Sequence, residues 1–155
     1  MGILETYIIS PKTLYLVNHF TDGYGTIVYE FDNVYKVKQT PLQIIEFNMI
    51  RLGGSNLLGR NLAIRKSVDY HQKVPIIVDQ RGLYFIPTRS VQSPECMMVN
   101  FNQILTFHQN QENLSQTIIT FKNGEKLTIN LSKRAFSQQY LRTLHLISLY
   151  GRDCI

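Results

Sequence analysis

Asn123-Gly124, set between the runs Thr117–Lys122 and Lys126–Leu131, is the clearest hairpin in the sequence. Both turn residues tolerate the positive φ of a tight two-residue turn, so the flanking runs are predicted to pair as antiparallel strands. A chain that commits one segment so firmly to antiparallel pairing must find further strands to bury the apolar face of that hairpin. The residues to build them are present. Nine Tyr and eight Phe accompany many β-branched positions, a composition that suits half-buried pleated surfaces better than helical bundles.

The first forty residues supply several candidates. Thr6–Ser10 and Thr13–Phe20 are β-branched and aromatic, and Asp22-Gly23 with Gly25 marks a turn. Thr26–Phe31 and Val34–Lys38 flank Asp32-Asn33, a second turn. Later, Pro75–Asp79 and Leu83–Pro87 read as strands joined by Gln80-Arg81-Gly82, and Met97–His108 reads as one long strand.

Pro41 opens a different kind of segment. Leu42, Ile45, Met49 and Leu52 recur at helical spacing, and proline is well tolerated at the first turn. Gly53-Gly54 ends that helix, and Ser55 can cap a second one over roughly Asn56–Val68. Helix, glycine turn, helix is also the outline of a helix-turn-helix, although Gly59 weakens the second helix. At the end of the chain, Phe136, Tyr140, Leu144 and Ile147 share one helix face. The expected architecture is therefore α+β in a single domain spanning residues 1–155. It has a mostly antiparallel, curved sheet or partial barrel, an inserted helical segment and a C-terminal helix. The terminal strands and helix resemble a pleckstrin-homology-like barrel, an analogy of fold and not of function.

The net charge of +5 is unevenly spread. Residues 1–50 hold three basic and five acidic side chains, residues 51–100 seven and three, and residues 101–155 six and three. A polyanionic partner is the inference, and the first third is its poorest contact. Cys96 and Cys154 are far apart with no C-x-x-C, which fits reduced thiols in the cytoplasm. The start lacks the basic and apolar regions of a signal peptide. No segment approaches the about 20 apolar residues of a membrane span.

The sequence offers no catalytic constellation, and no enzymatic activity is expected. His19, His71, His108 and His145 are scattered, with no H-x-x-x-H or H-E-x-x-H, so neither metal nor cofactor is expected. Glu46, Asp69 and Asp79 fall in separate elements and make no acid/base pair. Gly53-Gly54-Ser55-Asn56 followed by Gly59-Arg60 can converge backbone N–H groups on an oxyanion, but Arg60 stands where a Walker A loop needs Lys-Ser/Thr. Arg51, Arg60, Arg65, Lys66 and Lys73 fall within one short basic stretch opposed only by Asp69. They form either a solvated helix face or a nucleic-acid contact.

Pro41, Leu42, Ile44, Gly54, Ser55, Gly59 and Arg60 begin a longer pattern. It continues through Lys73, Pro75, Ile76, Val78, Asp79, Phe85, Pro87, Thr88 and Cys96, then Phe121, Asn123, Gly124, Ser132, Phe136, Gln139, Arg142 and Thr143. From Pro41 to about Leu146 the chain resembles the ComK competence transcription-factor family of Gram-positive bacteria. It departs from that pattern where relatives place a tryptophan two residues after the cysteine, with histidines soon after. Those positions read Met98, Phe101 and Gln103 here, and the chain has no Trp. Relatives usually also run some tens of residues past the position of Ile155, so this sequence looks like a divergent or C-terminally shortened member.

The resemblance implies a cytoplasmic, nucleoid-associated regulator of competence genes that binds A/T-rich double-stranded promoter DNA through the minor groove. A narrow A-tract groove concentrates negative potential and draws in Arg. Arg60 is the first choice for insertion, with Gly54, Ser55 and Asn56 positioning phosphate. Lys73 is a phosphate anchor, Arg51, Arg65 and Lys66 add further contacts, and Thr88 with Arg89 forms a second edge. Arg142 is either a DNA contact or a structural ion pair. Thr88 is either a DNA contact or a strand-end hydroxyl bonded to backbone. Cys96 is expected to pack as a small apolar group. The resemblance also implies a homo-oligomer (a dimer or a dimer of dimers) and a proteolytic adaptor of the MecA type. Edge strands of the first forty residues or the helix face of Phe136, Tyr140 and Leu144 are candidate self-contacts. Two competing functions use the same residues: a shortened paralogue that titrates a relative without binding DNA, and a pleckstrin-homology-like domain that binds anionic lipid.

Overall fold

A computed structural model describes residues 2–19, 23–53, 74–79 and 82–150. Its larger sheet has seven strands in the order β1-β4-β3-β2-β7-β6-β5. These are β1 (Ile3–Leu4), β2 (Thr13–Asn18), β3 (Thr26–Glu30), β4 (Val34–Val37), β5 (Ile76–Asp79), β6 (Leu83–Pro87) and β7 (Met97–Asn100). Every pairing is antiparallel except that of the two-residue strand β1 with β4. A second sheet, in the order β10-β9-β8, comprises β8 (Ile104–Gln109), β9 (Thr117–Phe121) and β10 (Lys126–Ile129). The predicted Asn123-Gly124 hairpin joins β9 to β10, with Gly124 at φ 93. The α+β architecture with a large antiparallel sheet is thus as expected, and among the described residues the strands form no closed barrel.

Strand alternation sends the two faces of the larger sheet to different cores. One face presents Leu16, Val28, Met98, Phe85 and Ile76 to helix α1 (Pro41–Arg51), whose Ile44, Ile45 and Met49 are fully buried against them. Cys96 joins this core, packed as the small apolar group its sequence context suggested. The helix begins with a capping box: Thr40 Oγ1 accepts the Gln43 N–H at 3.2 Å, and Gln43 Oε1 accepts the Thr40 N–H at 2.9 Å. It ends at Leu52 and Gly53, the latter at φ 84.

The opposite face presents Ile86 and Val99 to the second sheet, where Ile119, Phe121 and Ile129 meet them. Helix α2 (Lys133–Tyr150) closes this layer with Phe136, while its Leu146 packs with Val74, Ile77 and Tyr84.

Two expected strands differ from what forms. Thr6–Ser10 is irregular, because its backbone donors go to side chains: Tyr7 N–H to Gln39 Oε1 at 3.3 Å, Ile9 N–H to Asn48 Oδ1 at 2.9 Å and Ser10 N–H to Thr13 Oγ1 at 3.1 Å. Met97–His108 is broken by a 3-10 turn at Phe101–Gln103 that carries the chain from the first sheet to the second. Asn100 makes the break. Its Oδ1 caps the Asn102 N–H at 3.1 Å and its Nδ2 donates to the Thr13 carbonyl at 2.8 Å. The predicted second helix from Asn56 lies outside the described residues.

Candidate nucleic-acid interface

The strand pairings and α1 define two ends of the larger sheet. At one end, Thr40, Pro41 and Leu42 border a cavity of about 210 Å³ together with Asn18 and residues 91–94 of the β6–β7 connection. At the other, Asn48 reaches Ile9, and Ile9 lies beside Gly82 and Leu83. Helix α1 therefore runs from the Thr88 end of β6 toward its Gly82 end. Strand β5 is antiparallel to β6, with Ile76 opposite Phe85, so Val74 enters it from the Thr88 end. The chain thus leaves the described part at Gly53 near one end of the sheet and re-enters at Val74 near the other. Gly54, Ser55, Asn56, Arg60, Arg65, Lys66 and Lys73 all lie outside the described residues.

Four predicted site residues have described positions. Arg51 is exposed in the last turn of α1. Thr88 is only 5% exposed, and its hydroxyl accepts the Met97 N–H at 3.0 Å while its own N–H donates to the Met97 carbonyl at 2.9 Å. It extends the β6–β7 ladder, bonded to the neighbouring strand's backbone. Arg89 ties the two sheets together: Nη2 donates to the Asn130 carbonyl at 2.9 Å, and Nε lies 3.7 Å from Glu95 Oε2. Its side chain stays 40% exposed at a cavity of about 320 Å³ shared with Val17, Met97 and Ile129. Arg142 is half-buried on α2, one turn before Leu146. The structure brings Thr88, Arg89 and the entry point Val74 to one end of the sheet, and sets Arg51 apart from them.

A cationic group that the charge count passed over sits in the first third of the chain. His19 and Tyr24 stack at 4.2 Å with planes 12° apart, and Lys36 Nζ lies 5.3 Å from the Tyr24 ring centroid. His19 follows β2, Tyr24 precedes β3 and Lys36 lies on β4, all at the same end of the sheet as Thr88 and Arg89. The net negative charge of residues 1–50 hides this group, although two of the five acids there are engaged elsewhere. Glu5 pairs with Lys38 at 2.8 Å, and Glu30 accepts a hydrogen bond from the Tyr7 hydroxyl. The alternation of Val34 and Lys36 with Tyr35 and Val37 along β4 was the signal that could have found it.

Titration behaviour follows burial. The Cys96 thiol is pushed up, chiefly because burial disfavours the thiolate. Tyr15, stacked on Tyr29 at 4.4 Å and on Phe121 at 5.7 Å, is pushed up to about 12 by burial, with Tyr29 and Glu125 adding to it. Tyr7 is raised further, first by burial and then by its bond to Glu30. Among the described residues, no three His, Cys, Asp or Glu side chains gather to hold a metal ion. No described helix is long and apolar enough to cross a membrane. The described surface at the Thr88 end of the sheet carries Lys36 and the partly exposed Arg89 beside the His19–Tyr24 stack.

No solved structure matches the chain. A competence transcription factor from Bacillus subtilis (strain 168) is 29% identical over 145 residues, covering 92% of this chain and 74% of the relative. The family model described as ComK protein matches residues 4–153. The chain belongs to the ComK family.

Proposed function

We propose that this protein is a transcription regulator of competence genes that binds A/T-rich duplex DNA through the minor groove. The observation that carries the reading is similarity along nearly the whole chain, residues 4–153, to a family whose Bacillus subtilis relative is a competence transcription factor. The basic stretch from Arg51 to Lys73 supports it, as do the cations at the Thr88 end of the sheet. On this reading Arg60 enters the narrowed groove, Ser55 and Asn56 present donors to phosphate, and Lys73 anchors the backbone. A homodimer would hold two such units at a fixed spacing on the promoter. Of the expected helix contact residues, Phe136 is fully buried and offers nothing to a partner, while Tyr140 is half-buried against Phe101 and Phe107. Leu141, Leu144 and Leu149 are the exposed apolar residues of α2 that remain for self-association.

A gel-shift series with A/T-box and G/C-matched duplexes at several salt concentrations tests the reading. Neutralising about four to six phosphates per protomer gives a slope of log K against log salt of roughly −4 to −5. Equal affinity for both duplexes would remove the minor-groove reading. A slope near zero would remove the electrostatic one. Competition by anionic vesicles equal to that by duplex would point to lipid instead.

A further inference from the structure

The second sheet covers only part of the face it packs against. Two cross-strand rows on that face show where the cover stops. Val99, Tyr15, Tyr29 and Val34 are successive neighbours across β7, β2, β3 and β4. They pass from buried Val99, through half-buried Tyr15 and Tyr29, to Val34 at 45% exposure. The adjacent row runs Met97, Val17, Ile27, Lys36 and then Ile3 on β1. It ends with Lys36 exposed and Ile3 at 38% exposure. The face of β3, β4 and β1 is therefore an apolar strip about 10 Å wide, from two strand spacings.

The strip is electrically polarised. Lys36 stands on it, with Tyr24 and His19 beside Lys36 at the Thr88 end of the sheet. Arg89 borders the same face next to Val17, with Glu95 3.7 Å from its Nε. Glu5, which follows β1, is already engaged by Lys38. Glu125 acts on Tyr15, in the row that does not hold Lys36, away from the His19–Tyr24 stack. An apolar floor with cations along one end is complementary to a polyanion that also offers apolar sugar edges. Strands laid on a minor groove, with aliphatic side chains against its walls, are a known mode of duplex binding.

We infer that the face of β3, β4 and β1, which no described element covers, is a second duplex-contacting surface: Lys36 meets phosphate, and Ile27, Val34 and Ile3 lie against the sugar edges of the groove. The inference rests on the DNA-binding reading above and adds to it a surface outside the basic stretch from Arg51 to Lys73. The surface extends the footprint along the duplex, and its aromatic stack keeps the Lys36 ammonium in place through a cation–π contact.

The test compares wild type with Lys36→Ala, Lys36→Arg, Val34→Thr and Val34→Glu, using A/T-box duplex at several salt concentrations. Melting temperature and sedimentation are measured on the same samples. Lys36→Ala is expected to shallow the salt slope by about one unit. Lys36→Arg restores it, Val34→Glu weakens binding at least tenfold, and Val34→Thr binds within a few-fold of wild type. If wild type prefers A/T duplex and every variant matches it in affinity and slope, the surface is wrong and the DNA reading stands. If the variants change sedimentation but not DNA binding, a second copy of the chain occupies the strip and the inference falls. A wild type that binds no duplex removes both.

Discussion

The side-chain amide of Asn48 on α1 takes the place of a neighbouring strand for Ile9: its Oδ1 accepts the Ile9 N–H at 2.9 Å. The same amide donates through Nδ2 to the Tyr7 carbonyl at 2.9 Å and to the Ile44 carbonyl at 2.8 Å. Asn48 is fully buried. It anchors an irregular segment to the helix that precedes the basic stretch, so packing of the first core and placement of Arg51 depend on one residue.

Asn48→Leu should therefore be strongly destabilising despite adding apolar volume. It strands the Ile9 N–H and the Tyr7 carbonyl in the core, at about 1–3 kcal/mol each. A total loss of about 2–4 kcal/mol is expected, read as a lower urea midpoint with an unchanged m-value. A loss below about 1 kcal/mol would mean that the segment re-pairs elsewhere.

Two glycines should separate crowding from backbone strain. A Cβ at Gly25 would sit 3.0 Å from the backbone oxygens of both Lys38 and Gln39, which close the turn into α1. Gly124 has open space around it but a φ of +93. Gly124→Ala should cost about 1–2 kcal/mol, and Gly124→Asn less, since Asn tolerates positive φ. Gly25→Ala and Gly25→Asn should both cost about 1–3 kcal/mol, because overpacking against backbone has no conformational remedy. Thermal melts of the four variants check the pattern. Recovery of stability by Asn at Gly25 would contradict it.

The parts of the fold legible in the sequence are those where local chemistry and tertiary demand agree. Asn123-Gly124 turns because of its own backbone, and Thr40-Pro41 starts a helix through its own cap. Thr6–Ser10 has strand composition yet pairs with no strand, since the partners that decide it, Gln39 and Asn48, lie 32 and 39 residues away. The break at Asn100 was illegible for a similar reason. Its side chain bonds the Thr13 carbonyl 87 residues away, a contact that no window of local periodicity contains. For the candidate interface, composition pointed to the middle of the chain. It passed over Lys36, because counting charge by thirds cannot see that Glu5 and Glu30 are already engaged.

Stability should fall at high pH in a way that Tyr15 partly controls. Its phenol ordinarily ionises near 10 and is pushed up to about 12 in the fold. The folded state thus holds a proton that the unfolded chain releases. The stabilisation is complete below pH 10 and is lost as pH rises through 12. Tyr7 acts in the same direction, raised chiefly by burial. Across urea midpoints measured between pH 8 and 12, wild type is expected to lose stability relative to Tyr15→Phe as pH rises, because the variant has no phenol to ionise there. Curves that stay parallel over that range would refute the assignment.

Arg60, Lys73 and Arg89 should fail in three different ways when each is cut to Ala. Arg89 is bonded to the Asn130 carbonyl across the two sheets, so its loss should lower stability by about 1 kcal/mol, the scale of one partly exposed hydrogen bond. Arg60 is proposed to enter the groove. Its loss should weaken A/T-duplex binding by about 1–3 kcal/mol and shrink the preference over G/C duplex, with the melting temperature unchanged. Lys73 is proposed to touch phosphate alone, so its loss should weaken both duplexes alike and shallow the salt slope by about one unit. The three readouts are a melting curve, an A/T-to-G/C affinity ratio and a salt series, all on the same proteins. An Arg60→Ala variant that keeps its fold and its full A/T preference would move the reading element away from the glycine-rich segment. If Arg89→Ala instead loses the A/T preference at unchanged stability, the reading element lies at the Thr88 end of the sheet.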